Sequence, residues 1–295
     1  MTAGRIGFLG LGTMGRPMAL RLLNAGVELR VFDIAADAVN YFTAKGVIAA
    51  ATPRELGEWA DMLIFMVPHP DALRDNLLGA QGAIHTLRPG SVVIDMSTNG
   101  PAVIKTCGEA LAAHGIEMID APVGKGPPAA AQGELTLLMG GKREVCAAAE
   151  PILRHFGTEL HYCGPLGSGQ VVKLVNNLVS CANAAVLAEA CGLAHKSGVD
   201  LGVLAEIMTG TAADSHQLRH TLIGKALKGD FDPAFKLGLA HKDMRFALQM
   251  ARELNATSAC TAAAVDWYER AAAAGHGELD RAALMLLVDP RLKNA

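Results

Sequence analysis

Residues 5–33 read RIGFLGLGTMGRPMALRLLNAGVELRVFD, and few folds can accommodate such a stretch. An apolar run at 5–9 has the length and composition of a strand. Gly10, Gly12 and Gly15 follow at once in the spacing G-x-G-x-x-G, and the helix-like run RPMALRLLNAG ends at Gly26. A second strand, ELRVFDI, brings Asp33 eighteen residues after Gly15. Strand, glycine turn, helix, strand and acid in this register predict the opening βαβ unit of a doubly wound α/β sheet that binds a dinucleotide. Gly10 permits the tight turn, Gly12 lets a pyrophosphate approach the backbone, and Gly15 allows the helix to pack closely on the strand. The helix N-terminus attracts the phosphates. Leu11 lies within this loop and joins the expected contacts. Asp33 accepts hydrogen bonds from ribose hydroxyls and repels a 2′-phosphate, which favours NAD (as NADH) over NADP, with Arg30 as the nearby residue that argues the other way.

The alternation continues downstream. Helices are expected at 36–45, 53–59 and 70–78, and a fully buried parallel strand at MLIFMVP (62–68), stopped by Pro68. Open α/β sheets bind ligands at the carboxyl ends of their strands, so Met66, Val67 and Pro68 are expected beside the cofactor. The next strand, SVVIDMST, delivers Ser97 and Thr98 to the same edge, where Thr98 also suits the N-cap of a helix starting near Pro101. After a strand at 116–120, the segment APVGKGPPAAAQG reads as a close-approach loop. Its backbone amides and Lys125 suit an anion; a proline-stiffened surface loop with a solvated lysine fits the same residues. LTLLMGG is a further strand, and 143–156 a helix.

From Gly164 to Lys196 the chain reads as one long apolar helix without an internal proline. About thirty residues at roughly 1.5 Å each span about 45 Å. Lys173, Asn176, Asn177 and Ser180 fall on one side of it by their spacing. Two readings fit this row. Lys173 could be a buried group fit for proton transfer in a polar-lined cleft, or a lysine whose stem snorkels to water. Beyond Val199 strand-like runs disappear, and alanine- and leucine-rich helices follow with breaks at Gly210, Gly224 and Gly229. One of them carries Lys242 and Asp243, and a terminal helix is expected after Gly277. The expected organisation is an N-terminal Rossmann domain (1–164), then an interdomain helix with an all-α substrate and oligomerisation domain (165–295).

Composition narrows the function classes. Of 295 residues, 51% are hydrophobic and 19% charged, and the net charge is −3 with no long basic or acidic block. Neither a nucleic-acid nor a membrane-surface partner is expected. The six cysteines are scattered, with no metal-like spacing, so no metal site is expected and a reducing cytoplasm is. No stretch of 18 or more residues lacks a polar interruption, and the N-terminus has no signal-peptide pattern.

With GFLGLGTMGRPMA (7–19), DAPV (120–123), GSGQVVKLVNN (167–177) and LAHKD (239–243) all in order, the chain resembles the β-hydroxyacid dehydrogenase family over essentially its whole length. That family includes 3-hydroxyisobutyrate dehydrogenase and tartronate semialdehyde reductase. The resemblance implies an oxidoreductase in which Lys173 gives or takes the proton at the substrate oxygen. It further implies that Asn176 and Asn177 orient substrate and that Thr98 lies near the nicotinamide ribose. Thr13, Met14, Asp33 and Val67 would touch the cofactor, and Lys242 would reach it from the C-terminal domain. Many members place Ser-Gly-Gly where this chain has Gly124, Lys125 and Gly126, so a hydroxyl is lost and a cation gained. Lys125, Asn176 and Ser180 then look similar to the sulfolactaldehyde reductase branch, and imply a sulfonate or a carboxylate substrate. Alternatives of the same architecture are a 3-hydroxyisobutyrate, tartronate or succinic semialdehyde-type dehydrogenase, an imine reductase, or a non-catalytic binding module; Lys173 argues against the last two. A homodimer or homotetramer is expected.

Overall fold

The computed structural model describes residues 4–294; residues 1–3 and 295, where the two expected domains begin and end, lie outside the described residues. The chain forms two compact units that divide in sequence between Lys173 and Leu174.

In the first unit the order is β1 (Ile6–Leu9), α1 (Gly15–Asn24), β2 (Leu29–Phe32), α2 (Ala36–Thr43), β3 (Ile48–Ala49), α3 (Pro53–Trp59), β4 (Met62–Phe65) and α4 (Pro70–Leu78). It continues with β5 (Val92–Asp95), α5 (Pro101–Ala112), β6 (Glu117–Asp120), β7 (Val123–Gly124), α6 (Pro127–Gln132), β8 (Thr136–Gly140), α7 (Arg143–Leu153) and β9 (Glu159–Gly164). Proline opens α3, α4, α5 and α6, where its fixed φ suits the first turn and its missing N–H is no loss. Among the described residues the strands form one sheet in the order β3-β2-β1-β4-β5-β6-β8-β7, with β9 on β8. Pairing from β3 to β6 is parallel, whereas β8 runs antiparallel to β6 and β7. The strand order reverses between β1 and β4, which makes their carboxyl ends the switch point of a doubly wound sheet.

Two-residue alternation sends side chains to both faces of this sheet. Ile6, Phe8, Ile64, Ile94 and Ile119 join one core with α1, α2, α6 and α7. Leu9, Leu63, Phe65, Val93 and Met118 join the other with α3, α4 and α5. The strands β3, β7 and β9 have no apolar signature of their own: β3 and β7 are two residues long, and β9 is largely exposed. The expected loop after DAPV also contains β7 and the turn and a half of α6. Thr98 does not cap α5; Gly100 occupies that position with φ +82° and no capping side chain.

The long helix α8 (Ser168–Lys196) has 29 residues and continues into the second unit. By length and composition it could cross a membrane. Its Cys181, Ala184, Ala188 and Cys191 are buried in the helical core, with α9 (Leu201–Thr209), α10 (Leu237–Glu253) and α11 (Ala259–Ala271). The C-terminal segment is not the expected α-helix: Asp280 caps a 3₁₀ run at Arg281–Leu287, and a second follows at Pro290–Asn294.

A buried polar network ties α8 to the sheet. Asp120, at the end of β6, accepts from the Gly167 N–H at 2.6 Å and the Gln170 N–H at 2.8 Å, and so caps the helix. The Gln170 side chain continues the network. Its Oε1 accepts from the Asn99 and Gly100 N–H groups at 3.1 and 3.3 Å, and its Nε2 donates to Ser97 O at 2.8 Å and Asp95 Oδ2 at 3.4 Å. Asp95 also accepts from Asn99 Nδ2 at 3.1 Å. Burial pushes Asp95 up to about 7 and Asp120 up to about 6, against hydrogen bonds that favour the charged forms.

Carboxyls held above their unfolded value make the folded chain the better proton binder. Their stabilising contribution is complete below the unfolded value of 3.8 and is lost as pH rises through about 6 and 7. Asp95→Asn keeps an oxygen for the network and removes the titration. Its melting temperature should fall less than the wild type's between pH 5 and 8, by roughly 2–4 °C for each kcal/mol no longer lost, as measured by calorimetry.

Candidate active site

The glycine loop lies at the switch point. Gly10 has φ +97°, and a Cβ there would come within 2.2 Å of Met66 O. A Cβ on Gly15 would lie 1.8 Å from Gly10 O, so both positions close the turn against its neighbours. Gly12 differs: a Cβ there would meet nothing within 4 Å. The space over its backbone is open on the side where a phosphate would approach. The α1 helix starts at Gly15 behind Met14, without a capping side chain or an acidic residue in its first turn. That N-terminus is fitted to take an anion.

Asp33 lies just past β2, where the sequence places it. Its Oδ2 accepts from the Leu11 N–H at 2.5 Å and its Oδ1 from the Ala35 N–H at 2.7 Å. The carboxylate therefore holds the glycine loop to β2, and each oxygen keeps a second lone pair for a ribose hydroxyl. Arg30 is engaged elsewhere, with its guanidinium 4.6 Å from the Trp59 ring centroid. Glycine loop, open backbone, uncapped helix and acid all fit a nicotinamide dinucleotide.

Two more expected residues are fixed at the same edge. The Val67 N–H donates to Ser97 Oγ at 2.8 Å, tying the end of β4 to the end of β5. Thr98 follows Ser97 and precedes Asn99, whose N–H is held by Gln170. Sequence reasoning missed Gln170, Asp95, Asp120 and Asn99 as a unit. The signal was present in part: Gln170 lies three residues before Lys173, on the same helical face. That a glutamine at this point reaches 70 residues back to Gly100 is not readable from spacing.

Lys173 is half-buried on α8, one turn after Gln170. In the second unit, Asn177 is buried and its Nδ2 donates to Asp243 Oδ2 at 2.8 Å. Asn176, exposed, donates to Asn177 Oδ1 at 3.3 Å. The Lys-x-x-Asn-Asn and His-Lys-Asp segments thus meet through their amide and carboxylate. Lys242 Nζ lies 3.4 Å from Asp243 Oδ1 and 5.4 Å from the Phe246 ring centroid. Ser180, one turn beyond Asn176, accepts from Gln217 Nε2 at 2.8 Å and from Arg281 Nη1 at 2.9 Å.

The expected anion loop has a different internal arrangement. Gly124 lies in β7, paired with Thr136 of β8, and Gly126 precedes α6. Lys125 adopts φ +70°, and its Nζ lies 3.4 Å from Glu159 Oε1, with both side chains about half exposed. Its charge already has a partner within the first unit. Among the described residues no group of three or more His, Cys, Asp or Glu side chains could hold a metal.

Comparison with known proteins shows the family. Residues 5–164 match the model for the NAD-binding domain of 6-phosphogluconate dehydrogenase, and residues 167–288 that for the NAD-binding region of NADP-dependent 3-hydroxyisobutyrate dehydrogenase. The chain is 40% identical over 280 residues to 3-sulfolactaldehyde reductase of Escherichia coli, covering 95% of this chain and 94% of the relative. It is 32% identical over 281 residues to 2-(hydroxymethyl)glutarate dehydrogenase of Eubacterium barkeri, covering 95% and 93%. The solved Mycobacterium tuberculosis 3-hydroxyisobutyrate dehydrogenase with L-serine superposes with a TM-score of 0.88 at 30% identity, covering 98% of this chain and all of that one. Fold and site define a nicotinamide-dinucleotide-dependent oxidoreductase, with NAD or NADP as cofactor. The chain belongs to the 3-hydroxyisobutyrate dehydrogenase-like, or β-hydroxyacid dehydrogenase, family.

Gly12 separates folding from cofactor binding. Gly12→Ala should leave the melting temperature of the cofactor-free protein unchanged, because its Cβ meets no protein atom. Dinucleotide affinity should drop by about tenfold or more, a loss of at least ~1.4 kcal/mol in titration of NADH fluorescence.

Proposed function

We propose that this enzyme interconverts a small anionic 3-hydroxyacid, carboxylate or sulfonate, and its semialdehyde, with Lys173 as the acid–base group. The observation that carries the reading is the arrangement along α8. Gln170 holds the helix to the Thr98 segment, Lys173 follows one turn later, and Asn177 is locked by Asp243 a turn beyond that. The bound dinucleotide supplies or accepts the hydride. In reduction, protonated Lys173 stabilises the charge growing on the carbonyl oxygen and then delivers its proton there; in oxidation it takes the hydroxyl proton. Asn177 has one amide hydrogen committed to Asp243, which fixes the plane in which Asn176 and Asn177 present hydrogen bonds to substrate. Gly10, Leu11, Gly12, Thr13, Met14, Gly15, Asp33, Met66, Val67, Pro68 and Thr98 are assigned to the cofactor, with Lys242 as a further contact. Asp33 favours NAD.

Within this class a sulfonate is supported by the 40% identity to 3-sulfolactaldehyde reductase and by Asn176 and Ser180. A carboxylate is supported by relatives such as 2-(hydroxymethyl)glutarate dehydrogenase. The division of labour at residues 164 and 165, cofactor before and substrate and assembly after, belongs to the same reading. So does a homo-oligomer: α8 exposes Val175, Val179, Val186 and Leu193 on a face the helical core leaves uncovered. All six cysteines are free, which suits the cytoplasm.

Lys173→Ala should lower kcat by about 10²–10⁴-fold or more while NADH binding changes less than about threefold, by steady-state kinetics and fluorescence titration. Turnover surviving the substitution would refute the mechanism. Comparing sulfolactaldehyde, succinic semialdehyde and tartronate semialdehyde under NADH assigns the substrate anion, and the sulfonate reading fails if sulfolactaldehyde is not preferred.

A further inference from the structure

One guanidinium in the second unit, that of the half-buried Arg281, lies in no ion pair among the described residues. Its neighbour Asp280 makes no ion pair with it, and that carboxylate is turned to the backbone. Asp280 Oδ2 accepts from the Ala234 and Phe235 N–H groups at 2.9 and 3.0 Å, and Oδ1 from the Ala282 N–H at 3.0 Å. These bonds also fix the backbone that carries Arg281, whose own N–H donates to Phe235 O at 3.1 Å. The guanidinium lies 5.7 Å from the Phe235 ring centroid, and its Nη1 donates to Ser180 Oγ at 2.9 Å.

That bond determines what Ser180 can do. Its oxygen also accepts from Gln217 Nε2 at 2.8 Å, and Gln217 is buried and held in this orientation by Thr221 Oγ1, which donates to its Oε1 at 2.6 Å. A serine hydroxyl has two lone pairs and one hydrogen. With both lone pairs taken, only the hydrogen is left, and it can serve only an acceptor. A hydroxyl restricted to donating, beside a guanidinium in no ion pair among the described residues, suits an anion.

We infer that Ser180 and Arg281 form the subsite for the anionic group of the substrate, and that Arg281 supplies its positive charge. The inference rests on the proposed chemistry at Lys173, which lies on the same side of α8 two turns earlier. It differs from an assignment to Lys125, whose ammonium is paired with Glu159. Arg281 is followed by an apolar 3₁₀ run and stands outside every motif by which the family is recognised in this chain, so nothing in the sequence drew attention to it.

The test measures binding of 2,3-dihydroxypropane-1-sulfonate and of 3-hydroxyisobutyrate to the NAD-saturated enzyme by calorimetry, with KM and kcat on the matching aldehydes. Arg281→Met keeps an unbranched stem over Phe235 and removes the charge. It should weaken anion binding and raise KM by about 10- to 100-fold, with much less change in kcat. Arg281→Lys should restore part of the affinity, and the two ligands compared show whether the subsite serves a sulfonate or a carboxylate. Wild-type affinity in Arg281→Met, a larger loss in Lys125→Met than in Arg281→Met, or no binding of either anion to the wild type would each overturn the inference. Lys173→Ala distinguishes this from failure of the proposed mechanism, because adding Arg281→Met to it should weaken anion binding by the same factor as in the wild-type background. If that factor is the same and Lys173→Ala still turns over substrate, the mechanism is wrong and the subsite stands.

Discussion

The carboxylate of Asp120 at the start of α8 is the contact on which the rest of the first unit's chemistry depends. It accepts the N–H of Gly167, just before the helix, and that of Gln170 in its first turn, from a position buried at the end of a parallel strand. A helix N-terminus otherwise leaves its first amides without partners, and a buried one cannot turn to water for them. Here the cap also sets direction, because the helix must leave the sheet where β6 ends. Gln170, on that first turn, then uses every hydrogen-bonding atom of its amide on the β5 edge. Lys173 comes one turn later. The lysine and the segment carrying Thr98 are therefore held to a common frame by buried hydrogen bonds rather than by loops.

Such a network carries a cost that shapes its behaviour. Burial raises both Asp95 and Asp120, and the hydrogen bonds they accept from neutral donors offset that rise only in part. Replacing one donor would leave a buried acceptor unsatisfied, which costs more than a typical hydrogen bond contributes. The network is thus intolerant of partial loss, and a rigid mount for the acid–base residue follows from the same property.

The second unit solves a different problem with similar means. Asp243 orients Asn177, Asp280 anchors the turn before Arg281, and Thr221 orients Gln217. In each case a side chain that does no chemistry fixes the donor or acceptor direction of one that can. The contrast between two cations follows from this. Lys125 lies in a strained turn on the surface and is matched by Glu159, whereas Arg281 is half-buried, bonded to Ser180 and in no ion pair among the described residues. A charge in a folded chain is available for a ligand only if the fold has not already compensated it.

Local signals along the chain are enough to specify the doubly wound sheet, the glycine loop with Asp33, the long helix and the row Lys173, Asn176, Asn177, Ser180. Strands of buried β-branched and aliphatic residues, glycine spacing and helical offsets are all written within a few residues of each other. The strands β3, β7 and β9 were not legible, because they are short or exposed and exist through pairing with neighbours rather than through their own apolar pattern. Thr98, three residues before Pro101, suits the cap of α5 locally, but the chain turns at Gly100. Which polar residues act together was settled by packing alone. Asp120 with Gly167, Gln170 with Asn99, Asn177 with Asp243 and Ser180 with Arg281 are separated by 47, 71, 66 and 101 residues. Hydrogen bonds are short and directional, so a partnership across such distances is set by how the elements pack, and a sequence pattern contains no record of it.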